Sequence, residues 1–577
     1  MGGMHVVTTR RQYKGKVYEC HLVRRSFREG SKVRKETLAN ITALPAPVIE
    51  LVRRALRGEQ LVGIEDAFQI ERSVPHGHVA AVLGLARKLG VDKLLGSRRS
   101  RVRDLAMAMV VGRVVCPSSK LAQSRSWDDT TLGAELSVQD ADEDELYGAM
   151  DWALKQQPKV EAALAERHLE RGGMVMYDLT SSYFEGRHCA LAKYGHNRDG
   201  KRGKLQVNWG LVTNAEGCPV AVQVYPGNAG DPKTLQDQVE KLRERFGIER
   251  LVLVGDRGMI TQARIDHIKE HAPGVEWITA LRAPQIQKLR DAGTLQLTLF
   301  DDRDLGEITD PAYPGERLVV CRNPRLAEER ARKRGALLQM TETRLEKVCL
   351  MMRRKTQRGK PERADQIGVR VGKVISGYKV AKHFDLRIED GLFEYQRNAE
   401  RIEREAALDG IYVVRTSVGK DRLSSDEVVR TYKRLAKIER AFRSLKTEDL
   451  QVRPIHHRLE DRVRCHIFLC MLAYYVLWHL KRAWRPLLFA DESDAPRLGV
   501  SPVAPARRSE AAEQKARSKR TAEGLPAHSF KTLMAHLATL ARNRVRLPDK
   551  PDSPSFPILT NMTTLQRRAF KLIGVKP

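Results

Sequence analysis

A mixed α/β fold, in which helices pack against a mixed sheet, is predicted by three features of the sequence. Between residues 174 and 282 the patterns run as three strands, helix, strand, helix, strand, which suits a mixed sheet with helices on its faces. The flanking segments, from about residue 79 and again after residue 425, have helical spacing. Finally, 577 residues exceed one ordinary hydrophobic core, so several domains or large insertions are expected. A hydrophobic fraction of 42% is far too high for a disordered chain.

The elements follow in order. In the first fifty residues, ten Lys/Arg stand against four Glu, and alternation through 16–23 predicts a strand of a small hairpin with basic positions outward. Segments 101–115 and 119–125, joined by Cys116-Pro117-Ser118, could form a helix-turn-helix, although two packed core helices are the favoured reading. Strands are predicted at 174–179, 205–213 and 220–225, the last two joined by the turn Asn214-Ala215-Glu216-Gly217. A helix over 231–246 opens on Asp231-Pro232, which suit the cap and first turn. It is followed by a short apolar strand (251–254), a helix (261–271) and a strand (277–281).

Residues 283–407 read as an inserted module, with basic helical segments around 325–334 and 344–358 and alternation over 367–375; the sheet pattern is expected to resume only at 410–415. Long helices are predicted at 425–446 and 460–484. The tail from residue 486 carries sixteen Lys/Arg and eight acids, and 502–523, rich in Ala, Arg and Ser, is expected to be a flexible linker. The domain organisation expected is therefore 1–160, a mostly helical N-terminal DNA-binding region; 170–282, the first part of the sheet domain; 283–407, the insertion; 408–484, its second part; and 485–577, a basic tail. No internal repeat is visible.

Lys and Arg total 102 against 72 acids, a formal charge of +30, and this balance points to a polyanion. The N-terminus shows no signal-peptide pattern, and Val6 breaks the myristoylation motif. The most apolar run, 468–478, is too short to span a bilayer and reads as a buried helix. The eight dispersed cysteines fit neither a zinc knuckle nor a redox motif and suit reduced thiols in a cytoplasm. Nucleic acid is left as the expected partner.

Three carboxylates stand out. Asp178 lies within an apolar strand after Val175-Met176-Tyr177, and Asp256 ends the strand that starts at Leu251. An ionised carboxylate there is costly unless a cation or hydrogen bonds compensate it, and two acids on strands of one sheet can converge on a divalent ion. Glu439 lies in a helix in which Tyr432 and Lys446, seven residues to either side, fall within about 20° of it on the helix face. Singly, each acid has an ordinary reading as a turn, cap or ion-pair residue; their joint occurrence points to a site.

At these residues the sequence resembles the DDE transposases of bacterial insertion sequences, in particular the subgroup with a tyrosine-arginine-glutamate-lysine signature. The matching segments are Met176-Tyr177-Asp178-Leu179-Thr180-Ser181, Val254-Gly255-Asp256-Arg257-Gly258-Met259 and Ile438-Glu439-Arg440-Ala441-Phe442-Arg443-Ser444-Leu445-Lys446. The resemblance spans about 174–484 and implies a ribonuclease-H-like catalytic domain with a large insertion between the second and third acids. The spacings, 78 residues from Asp178 to Asp256 and 183 from there to Glu439, suit that layout. One element departs: the arginine expected four residues before the glutamate is Leu435. Arg434 would point about 140° away, whereas Arg443 lies within about 40° of Glu439 and could supply the charge from the other side.

The resemblance implies that Asp178, Asp256 and Glu439 hold two Mg²⁺ ions, or Mn²⁺, about 4 Å apart for in-line displacement at phosphorus. Water would attack first and release a 3′-OH at the element end, which would then attack target DNA. Tyr432 and Lys446 would contact the cleaved strand, and Arg443 a phosphate. Partners expected are double-stranded DNA, both element ends and target, and a second copy of the chain in the end-paired complex. A packing surface for that copy is expected on 463–480, unless the helix simply covers the sheet. End recognition is expected mainly before residue 160, and a bacterial cytoplasmic, nucleoid-associated location follows. The alternatives are a nuclease or resolvase on the same fold, which cuts without joining, and a non-catalytic DNA-binding derivative.

Overall fold

β-branched residues alternating with basic ones form strands from the start of the chain. β1 (Met4–Tyr13), β2 (Lys16–Glu29) and β3 (Lys32–Asn40) make an antiparallel meander whose side chains are mostly solvent-exposed, Arg10, Arg11, Lys16 and Arg25 among them. The strand expected over 16–23 lies within β2, and the helices expected of the N-terminal region begin only after residue 45. In the computed structural model all residues are described except 1–2, 60–68, 197, 249, 297–299, 493–500, 505–506 and 547–554. The reading of the extreme N-terminus thus rests partly on residues outside the described set. The described residues form two units, 1–74 with 541–561 and 75–540 with 562–577.

In the first unit the meander is followed by α1 (Ala46–Leu56) and β4 (Gln69–Pro75). The second unit begins with six helices: α2 (Gly77–Lys88), α3 (Val91–Leu95), α4 (Arg101–Val115), α5 (Lys120–Ser124), α6 (Leu132–Leu136) and α7 (Glu143–His168). α4 is a core helix, buried at every position from Arg103 to Val114, and α5 has five residues. The second helix of a helix-turn-helix reads the groove, and α5, with Lys120 and Gln123 buried, is too short for that, so these are two packed helices.

The strands that follow match their sequence signals closely: β5 (Met174–Tyr183), β6 (Gln206–Asn214), β7 (Pro219–Pro226), α8 (Asp231–Glu240) with a π turn after it, β8 (Leu251–Val254), α9 (Gln262–His271) and β9 (Val275–Ala280). Beyond α10 (Ala283–Asp291), β10 (Leu305–Ile308) and β11 (Arg317–Arg322) belong to the same sheet, so the sheet pattern does not wait until residue 410. Leu318-Val319-Val320-Cys321 is fully buried between its neighbours, which gives it the unalternating pattern of an interior strand.

The two basic segments are one helix, α11 (Pro324–Gln357), and 367–375 lies in a helix, α12 (Ala364–Tyr378), not in a strand. Its apolar residues satisfy both periods, but Ile367 and Val371, four apart, are buried while Val369 is exposed, so the helical period wins. β12 (Phe384–Glu389) and β13 (Leu392–Arg397) pair against these helices around a small core of their own, and α13 (Ala399–Ala406) leads back to β14 (Ile411–Thr416).

The expected long helix is divided. α14 (Ser425–Lys433), capped by Ser424 and Glu427, gives way at Arg434 to α15 (Leu435–Arg443) and a π turn (Ser444–Glu448). α16 (Glu460–Ala483) is long and apolar enough to cross a membrane, yet 83% of its apolar window is buried inside the protein. It packs against α4, α7 and β7. The surface expected on 463–480 for a second copy is therefore already covered by the chain itself.

In the tail, α17 (Glu510–Ser518) is fastened by Ser509 to Asp491 and by the buried Lys515, whose ammonium bonds the carbonyl oxygens of Arg485 and Leu488 and pairs with Glu492. The described part of 502–523 is thus ordered structure and not a flexible linker. α18 (Phe530–Ala538), β15 (Ala541–Arg546), β16 (Phe556–Leu559) and α19 (Thr564–Ile573) complete the chain, with β15 and β16 joining β4 in a small sheet of the first unit. The large sheet has the order β10-β11-β14-β9-β8-β5-β6-β7; β5, β6 and β7 are antiparallel, and β5, β8 and β9 are parallel.

Candidate active site

β5 is covered on both faces, and its alternation assigns a task to each. Tyr177 is fully buried on one face, where β6 has Gly210 because any side chain there would run into the tyrosine hydroxyl. Asp178, Thr180 and Ser182 share the opposite face. On that face Trp209 of β6, paired with Thr180, donates its indole N–H to Ser182 Oγ at 3.0 Å. Asp178 is the half-buried residue in this otherwise sealed stretch, and its Oδ1 accepts from the Leu179 N–H at 2.8 Å.

β8 runs parallel to β5 with Met174 opposite Val252, Val175 opposite Leu253 and Met176 opposite Val254. Two residues further along both chains stand Asp178 and Asp256, so the register sets the two carboxylates side by side on neighbouring strands. Adjacent strands lie about 4.8 Å apart. Asp256 is exposed at the strand end, where its Oδ1 accepts from the backbone N–H groups of Gly258 and Met259 at 2.7 and 2.9 Å. Those bonds fix the carboxylate's orientation and leave Oδ2 without a hydrogen-bond partner among the described residues.

α15 brings the third acid. Ile438, Ala441 and Phe442 form its buried stripe, and Phe442 meets the Trp209 ring edge-on with centroids 5.1 Å apart. The helix therefore lies over the Asp178 face of the sheet. Glu439, about 60° around the helix from Phe442, flanks this stripe; it is exposed and has no hydrogen bond or ion pair among the described residues. Burial first, then the Asp256 charge, with a smaller push from Glu439 against the pull of Arg257, raises the Tyr432 phenol to about 12. Tyr432 thus stands within electrostatic reach of both acids despite the break at Arg434, and it remains a protonated donor at neutral pH.

Past Glu439 the π turn buries three consecutive residues, Ser444, Leu445 and Lys446, which a regular helix would not do. Lys446, 8% exposed, donates to Thr180 Oγ1 at 2.9 Å and pairs with Asp199 at 2.6 Å. Burial lowers its pKa, with Asp199 opposing. The Asp199 side chain is buried, accepts from the Tyr183 N–H and also pairs with Arg453. Sequence reasoning missed Thr180, Asp199 and Arg453; the only signal was an Asp-Gly pair within a basic loop, which reads as an ordinary turn. Arg443 is exposed and has no ion-pair partner among the described residues, whereas Arg434 is directed at Glu216, 3.8 Å away. Leu435 is partly buried against the core.

The three acids offer only oxygen donors, which suits a hard divalent ion. Their carboxylates are not gathered within 4.8 Å of one another. The one group of His, Cys, Asp or Glu side chains so gathered among the described residues is His168, Cys218 and His479, a nitrogen and sulfur set beside Arg167 and Arg482.

Residues 175–476, just over half the chain, match the family described as Transposase DDE domain. The chain belongs to that family. Residues 6–64 match the N-terminal domain of IS1634 family transposases, which makes the chain a DDE transposase of a bacterial insertion sequence. The chemistry of this family is metal-dependent DNA cleavage and transposition. The matched interval of the transposase contains Asp178, Asp256, Tyr432, Glu439, Arg443 and Lys446. Among solved structures, the cryo-EM structure of the piggyBac transposase synaptic complex with hairpin DNA aligns over 80% of this chain and 76% of its own, with a TM-score of 0.35 and 9% identity. No curated protein matches the chain.

Proposed function

We propose that Asp178, Asp256 and Glu439 are the metal-binding acids with which the transposase cuts the ends of its element and joins them to target DNA, on a ribonuclease-H-like core. The parallel register that sets Asp178 beside Asp256 carries this reading, and α15 lying over the Asp178 face supports Glu439 as the third ligand. The strand order from β7 through β6, β5 and β8 to β9, three antiparallel strands followed by two parallel ones, supports the core assignment. The subgroup with the tyrosine-arginine-glutamate-lysine signature fits, with Arg443 in place of the arginine lost at Leu435.

Two Mg²⁺ ions, or Mn²⁺, held by the acids would supply activation of the attacking oxygen and neutralisation of the leaving one. Water attacks the scissile phosphorus and the O3′ bond breaks, leaving a 3′-OH on the element; that 3′-OH then attacks a target phosphodiester and displaces a target O3′. Asp256, its Oδ1 held by two backbone donors, keeps Oδ2 for ligation, and Asp178 accepts from the Leu179 N–H beside it. Tyr432 donates its phenolic proton to the cleaved strand. Lys446 spends two of its three donors on Thr180 and Asp199 and has the third for a phosphate. Arg443 presents a free guanidinium to the same strand.

End recognition is assigned to residues 1–160, where the exposed basic meander supplies charge, and the segments 170–282 and 408–484, together with β10 and β11 of the same sheet, to the catalytic core, with α11 to α13, β12 and β13 as the insertion. Two copies of the chain pair the two ends, in the nucleoid of a bacterial cytoplasm. The test is incubation of purified protein with labelled element-end DNA and supercoiled target in Mg²⁺. Nicked ends and joined products are expected; nicks with no joined product would reduce the activity to that of a nuclease.

A further inference from the structure

The loop that leaves the π turn runs 451–459 across the space between α4, α5 and α16, and a cavity of about 690 Å³ lies there. None of the three acids lines it, and no carboxylate does. Its walls carry five cations: Arg113, Lys120, Arg453, Arg458 and Arg462. Arg453 is held by Asp199, and Arg462 faces Asp151 at 3.6 Å while covering the Tyr147 ring. Arg113 and Lys120 are different: they are 9% and 5% exposed, and neither has an ion pair or side-chain hydrogen bond among the described residues.

Leaving two buried cations unpaired costs several kcal/mol in a folded protein unless something compensates them. Histidines of the wall cannot supply a negative charge, and burial and the neighbouring cations push His457 down to about 3 and His466 well below its ordinary value, so these two are neutral. Burial, and then Arg113, lowers Lys120 to about 8, which still leaves it mostly protonated at neutral pH. With no carboxylate in the cavity wall, an anion entering from outside would complete these charges. Its source is indicated by continuity: Arg453 in the cavity wall shares Asp199 with Lys446, which bonds Thr180, two residues from Asp178.

We infer that this cavity is a phosphate-binding site, with Lys120 and Arg113 as donors at its base, and that it takes a backbone phosphodiester of the DNA strand that continues from the acids. This rests on the assignment of the acids only for where the strand runs.

Two metal-free measurements on the full chain test it. In thermal melts, inorganic phosphate raises the melting temperature of the wild type. Lys120→Met, having lost a buried unpaired charge, melts at the same temperature or higher in phosphate-free buffer and does not respond to phosphate. A variant that melts lower than wild type and still responds would overturn the site. In binding to a random-sequence duplex, the slope of log K against log salt falls by about one for Lys120→Met and about two for the double variant with Arg113→Met. A lost phosphate response with an unchanged salt slope would mean free phosphate is the ligand and would overturn the DNA assignment. Neither arm needs cleavage, so failure of the acid assignment leaves both readouts intact, and their failure leaves that assignment standing.

Discussion

Lys446 and Lys120 are both buried lysines of the same unit, but they have opposite surroundings. Lys446 has Asp199 at 2.6 Å and Thr180 at 2.9 Å; Lys120 has another cation, Arg113, and neutral histidines. Burial lowers the pKa of both. The difference teaches where to look for ligands: a buried charge with an internal partner positions a site, whereas a buried charge without one marks a place the ligand must complete.

The largest way to break the comparison is to make Lys446 resemble Lys120. Asp199→Ala leaves Lys446 and Arg453 buried without their acid, and we expect a loss of about 3–5 kcal/mol in unfolding free energy, read by denaturant titration. A loss under 1 kcal/mol would show that the pair does not hold this end of the sheet.

Arg443 sharpens the comparison from the exposed side, because an unpaired cation in water costs nothing and must be tested by function. Arg443→Ala is expected to weaken end-complex formation and cleavage about ten- to a hundredfold, the size of one charge-assisted hydrogen bond to phosphate, roughly 1.5–3 kcal/mol. Arg434→Ala, whose guanidinium faces Glu216, should change little. Equal small effects would discard Arg443 as the replacement for the arginine absent at Leu435. Leu435→Arg, placed in the Arg443→Ala background, should restore part of the loss, although Leu435's partial burial sets a stability cost that a melt would show.

The smallest effect is expected at Thr180→Val, which removes one of two partners of Lys446 while Asp199 keeps the charge compensated. About 1 kcal/mol of stability is expected to go, with cleavage reduced less than in Arg443→Ala. A loss as large as that of Asp199→Ala would mean the hydroxyl, and not the carboxylate, fixes the lysine.

The strands that build the site were legible because their signals are local: β8 is a run of four apolar residues, and β5 to β7 are bounded by turn residues. Asp178 and Asp256 were legible for the same reason, since a carboxylate inside or just after an apolar strand is conspicuous. What was not legible depends on non-local packing. Leu318-Val319-Val320-Cys321 looked like part of an insertion because its partner, β14, lies almost a hundred residues away, and 367–375 carried apolar residues at spacings common to strand and helix. The π turn that buries Lys446 follows from how α15 seats against β5, and the regular-helix geometry used for the sequence has no means of anticipating it. Asp199 escaped notice because an Asp-Gly turn is among the commonest patterns in any loop.

The central claim, that Asp178, Asp256 and Glu439 together hold the metal, is tested most directly by Mg²⁺-dependent cleavage of element-end DNA by Asp178→Ala, Asp256→Ala and Glu439→Ala, with DNA affinity measured on the same preparations. Each substitution removes a ligand and few phosphate contacts. The account predicts loss of cleavage in all three with affinity within a few-fold of wild type. Cleavage near the wild-type rate in any one of them would contradict it and remove that residue from the site.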